Sequence, residues 1–410
     1  MSKNIVVGLG NNLDYEAFWD VQIFQKLIDQ FQIRKNDFAI HPIIQTQRDL
    51  VCSILYFLSR NEGGERYVED MQVLDQFCSF FAGKYTLGGT GARATLALAQ
   101  RGACCTVHLV FVNDRVLSLL PRNCHYLCEP TAFDSSPHLI IQYPQNVILS
   151  GADFRICTNC SNRLIYLHDE CNQMLPLSPK LPDALRDADI LLLSGFNAIQ
   201  DKMILRQRLD ALVAMMKNLP EHATVILEEA DYPIPTFREQ VQAALLPHVT
   251  LYSMNEDEWQ SIIGRSVSLL DEKDVFNAVE TLRKSVIGYE GALMIHTQGW
   301  VLVAGSTAKE LHEAVYQGML TASTRYRCGD IFSLTDLEQT SLMPLQKLSF
   351  YFSKKLEMLF KGRGICVPAW DLSSVTHATT IGLGDAFIGG LLTGLNGFSY
   401  PAITKENTLC

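Results

Sequence analysis

Near the end of the chain, Ile381, Gly382, Leu383, Gly384 and Asp385 run into Ala386, Phe387, Ile388 and two further glycines. Glycines followed by an acid and then by small apolar residues describe a tight loop entering a buried helix. The free backbone N–H groups of such a loop, together with the partial positive charge of a helix start, suit an anion. Asp385 falls in the first helical turn, beside that place. A carboxylate next to a transferring phosphoryl group can take the proton of an attacking hydroxyl. The same residues also satisfy a plain glycine turn with an acid that suits the helix dipole. The choice between the two rests on what else the chain carries.

Four further constellations could do chemistry. Gly8 and Gly10 lead to Asn12 and Asp14, a weak Gly-x-Gly signal without the third glycine of a dinucleotide fingerprint. Asn12 and Asp14 can instead accept and donate hydrogen bonds to sugar hydroxyls, or form an Asx turn and a helix cap. Gly88, Gly89, Thr90 and Gly91 precede a helical run, so a small polar ligand can approach the backbone there. Glu228, Glu229 and Asp231 follow a buried strand, and Asn255 and Glu258 follow another. Carboxylates crowded at strand ends call for a nearby cation. Mg²⁺ keeps much of its water and rests on one or two carboxylates and on phosphates. Asn255 with Glu258 three residues later also fits a variant capping box. Lastly, Cys157, Cys160, His168 and Cys171 have the spacing of a zinc knuckle, set against reduced thiols that simply pack.

The elements that must position these residues alternate. Buried β-rich runs occur at 5–7, 106–111, 189–194, 224–227, 250–254, 292–296 and 300–304, with helical patterns at 92–100, 203–218 and 274–286. This alternation predicts an α/β fold: a doubly wound, largely parallel sheet flanked by helices, with ligands at the carboxyl ends of its strands. Two segments break the rhythm. Residues 14–85 show helical patterns at 18–32 and 50–59 without a clear buried strand. Residues 134–180 read as exposed, partly alternating strands at 138–143, 146–149 and 163–168. The expected division is a large domain of 1–13, 86–133 and 181–410, and a smaller, discontinuous α/β domain of 14–85 and 134–180. Residues 404–410 are expected to fray.

Composition narrows the function. The 410 residues carry a net charge of −10, which argues against nucleic acid or an anionic membrane as partner. No run reaches the roughly 18 apolar residues of a membrane span, and residues 1–8 lack a signal-peptide core. Twelve cysteines without a leader point to reduced thiols and a cytoplasmic location. A monomer working on small molecules is expected.

In order and spacing these pieces resemble the ADP-dependent glucokinase/phosphofructokinase family of ribokinase-like kinases. The landmarks span nearly the whole chain: Asn12-x-Asp14, Gly64-Glu65-Arg66, Gly88-Gly89, His138, Asn162-Arg163, His168-Asp169-Glu170, Ser194-Gly195, Glu228, Asn255-x-x-Glu258, His296-Thr297 and Thr380-x-Gly382-x-Gly384-Asp385. The resemblance implies a ribokinase-like domain with a lid, ADP as phosphoryl donor, AMP as product and Mg²⁺ as cofactor. By position it makes Asp385 the base and the backbone of Gly382, Leu383 and Gly384 the anion hole. Arg163 becomes a lid cation for the phosphates. Glu228 and Glu258 organise Mg²⁺, and Asn255 and His296 fall with the nucleotide. Asn12, Asp14, Glu65, Gly89 and Thr90 fall where the family holds its sugar.

The chain also departs from the pattern. Ile226 stands where the family has the histidine of His-x-Glu, Gln142 replaces a lid glutamate, and Thr90 replaces an amide. Ala292, Leu293 and Met294 replace an Arg-Ile-His. Glu65 would repel a sugar phosphate, which favours an unphosphorylated hexose such as glucose. The rival, a phosphofructokinase, needs cations around that phosphate, with Lys84, Arg93 and Arg101 as candidates. Two further readings fit the same residues: an ATP-dependent ribokinase-like sugar or nucleoside kinase, and a non-catalytic sugar sensor.

Overall fold

Runs such as Ile190–Leu193 and Thr224–Glu228 have no wet face, so they pair edge to edge inside the molecule. The computed structural model describes residues 3–40, 43–130, 136–375 and 381–397. Thr380 and the segment expected to fray lie outside the described residues. The chain divides into two compact units, one of Met1–Asn11, Gly89–Thr131 and Asn172–Cys410, the other of Asn12–Gly88 and Ala132–Cys171.

Among the described residues the larger unit builds a nine-stranded sheet. From one edge its strands are Gly364–Pro368, Trp300–Ala304, Ala292–His296, Leu251–Asn255, Thr224–Glu228, Ile190–Leu193, Ile5–Val7, Cys105–Leu109 and Cys124–Cys128. Pairing is parallel from Ala292–His296 to Cys124–Cys128, and antiparallel on either side of Trp300–Ala304. Strand order reverses beside Ile5–Val7, the switch point of a doubly wound sheet. Helices including Lys202–Met216 and Glu272–Ser285 start on aspartates, Asp201 and Asp271, whose side chains accept from the first free N–H groups.

The helix Leu383–Leu395 meets its neighbours unusually closely. A Cβ on Gly389 would lie 2.6 Å from Ala97 Cβ, and one on Gly390 would lie 2.4 Å from Thr321 Oγ1. The glycine pair is therefore a packing requirement against the helices Thr90–Gln100 and His312–Cys328.

The smaller unit holds a five-stranded sheet in the order Gly64–Tyr67, Asn162–Leu167, His138–Tyr143, Asn12–Ala17, Gly83–Gly88. The helices Val21–Gln30, Gln47–Arg60 and Met71–Cys78 supply Phe24, Leu55 and Phe77 to its core. Three expectations need correction here. Strands do occur within 14–85: Asn12–Ala17 has no apolar run, yet Asp14 and Glu16 are buried in it, so hydropathy hid it. His138–Tyr143, read as exposed, is buried at all but Gln142. The border expected after residue 180 falls after Cys171, because Asn172 Nδ2 donates to Asn11 O at 2.8 Å and Ser178 N to His108 Nε2 at 3.0 Å. Two edge strands of the larger sheet, Cys124–Cys128 and Gly364–Pro368, were not foreseen. No helix among the described residues is long and apolar enough to cross a membrane.

Candidate active site

In the larger unit, Gly382 caps the helix Leu383–Leu395 in a left-handed conformation, φ 65° and ψ 28°. Only glycine adopts this without strain. The backbone N–H groups of Leu383, Gly384 and Asp385 therefore open the helix, and Asp385 sits in its first turn, partly exposed. The loop is held firmly. Arg325 donates to the carbonyl of Ile381 and pairs with Asp330. Arg93, buried in the helix Thr90–Gln100, places Nε 3.8 Å from Asp385 Oδ2.

The acidic run after the strand Thr224–Glu228 is divided between two partners. Glu229 takes Arg238 Nε at 3.3 Å and accepts from the Tyr252 hydroxyl, and exposed Asp231 lies 3.8 Å from Arg238 Nη2. Glu228 turns the other way, with Oε1 2.9 Å from His296 Nε2. Its second oxygen is buried and has no hydrogen-bond partner among the described residues. Glu258 closes the capping box at Asn255, accepting from Asn255 N at 2.8 Å.

Burial, and then the charge of Glu228, push the Glu258 carboxyl up to about 8. Burial also works against a charged His296, but Glu228, Glu258 and Glu256 together raise it above the ordinary histidine value. His296 lies close to the glycine loop as well, since a Cβ on Gly384 would be 3.7 Å from its Cε1. One strand end thus links the acidic pair to the helix start. Gly89 (φ 84°) caps the helix that begins at Thr90 and would press a side chain onto Asn11 Cα at 3.0 Å.

In the smaller unit, Asp14 is buried, and Gly88 makes room for it: a Cβ there would lie 2.6 Å from both carboxylate oxygens. His138 stands between acids, Nε2 2.9 Å from Asp169 Oδ2 and Nδ1 3.9 Å from Asp14 Oδ1. Burial opposes its charge, but Asp169, Asp14 and Glu65 outweigh that and raise it. Asn12 pairs in register with Gly88, while Glu65 and Arg163 are exposed on the strands Gly64–Tyr67 and Asn162–Leu167. Arg163 is paired in register with Gln142.

Residues 3–363 match the conserved region of ADP-specific phosphofructokinase/glucokinase. The chain belongs to this family. The ADP-dependent glucose/glucosamine kinase of Pyrococcus abyssi is 21% identical over 387 residues, covering 87% of this chain and 84% of that protein. The crystal structure of a phosphofructokinase from Pyrococcus horikoshii with AMP superposes with a TM-score of 0.78 at 17% identity, covering 97% and 98% of the two chains. An ancestral ADP-dependent phosphofructokinase of Methanosarcinales gives 0.72 at 15% identity, covering 98% and 95%. These likenesses, at low identity, show that the chain shares the fold of those phosphofructokinases. The matched region ends before Gly382, so the loop at residues 382–385 stands on its own geometry.

His138 and Asp169 were legible only as landmarks, because nothing in the spacing of 14, 138 and 169 says that they meet. The thiol cluster does not assemble. Cys157 is exposed, Cys160 Sγ lies 3.5 Å from Asn61 O, and His168 Nδ1 lies 2.9 Å from Val68 O. No group of three or more His, Cys, Asp or Glu among the described residues is placed to hold a metal, zinc included.

Proposed function

We propose that this family member moves the β-phosphoryl group of ADP to the 6-hydroxyl of an unphosphorylated hexose, glucose foremost, and releases AMP. The observation that carries the reading is Asp385 in the first turn of a helix capped by left-handed Gly382. Asp385 takes the hydroxyl proton as the sugar oxygen bonds to the β-phosphorus. The bond from that phosphorus to the bridging oxygen breaks, and AMP leaves with the electron pair. The N–H groups that open the helix stabilise the charge on the phosphoryl oxygens in flight. By family position Arg163 is assigned to the donor phosphates, and Asn255 and His296 to the nucleotide.

Glu228 and Glu258 are the residues that would hold Mg²⁺, which neutralises phosphate charge when bound. Their carboxylate oxygens suit a hard cation. The buried Glu228 Oε2, without a hydrogen-bond partner among the described residues, and the raised Glu258 carboxyl fit a cation at this pair.

The acceptor assignment rests on charge. Asn12, Asp14, Glu65, Gly89 and Thr90 are assigned to the sugar by their family positions, and His138 lies beside Asp14. Three carboxylates act on His138, a setting that repels a sugar phosphate. The cations a phosphofructokinase would need are engaged elsewhere. Lys84 Nζ lies 3.2 Å from Glu16, Arg101 is buried against Gln317 and Thr321, and Arg93 lies beside Asp385.

The test is AMP formation by purified protein with glucose, glucosamine or fructose 6-phosphate, Mg²⁺, and either ADP or ATP. AMP from ADP with glucose is expected. Turnover with ATP alone overturns the donor, and preference for fructose 6-phosphate overturns the acceptor. Asp385→Ala should lower kcat by about 10²- to 10⁴-fold with ADP binding retained.

A further inference from the structure

The guanidinium of Arg93 occupies an unfavourable place. It is buried, and it lies against the positive end of a helix: a Cβ on Gly382 would be 2.5 Å from its Nη1 and 3.1 Å from its Cδ. Burial and the helix dipole both disfavour a cation there. Asp385 Oδ2, 3.8 Å from Nε, offsets part of that cost. Arg101, at the end of the same helix, is also buried; it donates to Gln317 and Thr321, and burial lowers it to about 10 despite the charge of Glu313. Arg93 is the one of the two that is set against an acid at the transfer loop.

We propose that Arg93 is a positioning residue for Asp385, fixing the carboxylate at the helix start and lending that start a second positive charge. The proposal rests on the kinase reading above. In the resting enzyme the Asp385 carboxylate offsets part of the guanidinium's charge. When Asp385 takes the proton of the sugar hydroxyl, its charge disappears and that of Arg93 is no longer offset by it. The field at the helix start therefore grows more positive as the phosphoryl group arrives. The arginine comes from the helix Thr90–Gln100, which Gly89 caps.

The test compares Arg93→Met, Arg93→Lys and Arg93→Ala with wild type, using AMP release, KM for ADP and hexose, and thermal unfolding. Arg93→Met should lose about 10²-fold in kcat, with both KM values within about threefold. Arg93→Lys should recover most of the loss. Free guanidinium ion should raise the turnover of Arg93→Ala and leave wild type unaffected. A pocket lined by Arg93, Leu96, Ala97, Arg325, Phe332 and Gly382 gives it room. Wild-type kcat in Arg93→Met overturns the proposal. So does equal loss in the Met and Lys variants without guanidinium rescue, which marks a packing role. No AMP from wild type with any hexose overturns the kinase reading itself, and this proposal with it.

Discussion

His296 Nε2 and Glu228 Oε1 meet at 2.9 Å across the end of an intervening strand, Leu251–Asn255. The contact fixes one oxygen of Glu228 and leaves the other aimed away from any protein donor among the described residues. It also brings the His296 ring toward the loop at Gly384. Because an oriented carboxylate is a better cation ligand than a free one, Glu228→Gln should weaken Mg²⁺ activation by about 10- to 100-fold. Titration of the rate with Mg²⁺ checks this, and an unchanged half-saturation removes Glu228 from the metal site.

Glu258 sets a pH dependence. Its carboxyl is held at about 8 against an ordinary 4.5, so the folded protein keeps a proton that the unfolded chain loses. Stability from this group is present at the acid end and declines as pH rises from about 4.5 to about 8. His296, also raised, acts in the same direction: its contribution is full below 6.5 and fades as pH rises through its folded value. Chemical denaturation of the metal-free protein across that range should show the fall, and Glu258→Gln should flatten it. Binding of Mg²⁺ with ADP near neutral pH should release a proton, measurable by calorimetry in buffers of different ionisation enthalpy.

His138 is buried between Asp169 and Asp14. Removing one partner of a buried ionic cluster strands the others, at a cost of roughly 3–5 kcal/mol. His138→Ala should therefore destabilise the smaller unit's sheet in urea unfolding, more below pH 6.5 than above the raised folded value. The variant should also bind hexose less tightly. A loss of stability that does not vary with pH would mean that the ring is neutral.

Gly382→Ala tests the loop. An alanine at φ 65° costs about 1–2 kcal/mol, and its Cβ would fall 2.5 Å from Arg93 Nη1. Gly288→Ala provides the comparison, since φ there is 79° and nothing lies within 4 Å of the added carbon. Both should lose stability to a similar degree, whereas Gly382→Ala alone should lose turnover, by about 10-fold or more. Equal activity in the two variants would dismiss the idea that the loop's shape matters to transfer.

The sequence alone was sufficient for the central sheet and for the helix start at Gly382. Strands such as Ala292–His296 and Trp300–Ala304 are buried on both faces, so hydropathy marks them to the residue. Gly382, Leu383, Gly384 and Asp385 were legible because their meaning is local: a turn, a helix start and an acid one turn in. Asn12–Ala17 was not, since its polar residues are buried by partners far along the chain. The acidic run after Thr224 showed its charges but not their division, which needed Arg238 on one side and His296 on the other. Likewise only the tertiary structure set Arg93 beside Asp385. Local conformation follows from neighbours in sequence, whereas the ionic partners of a buried group are chosen by tertiary packing.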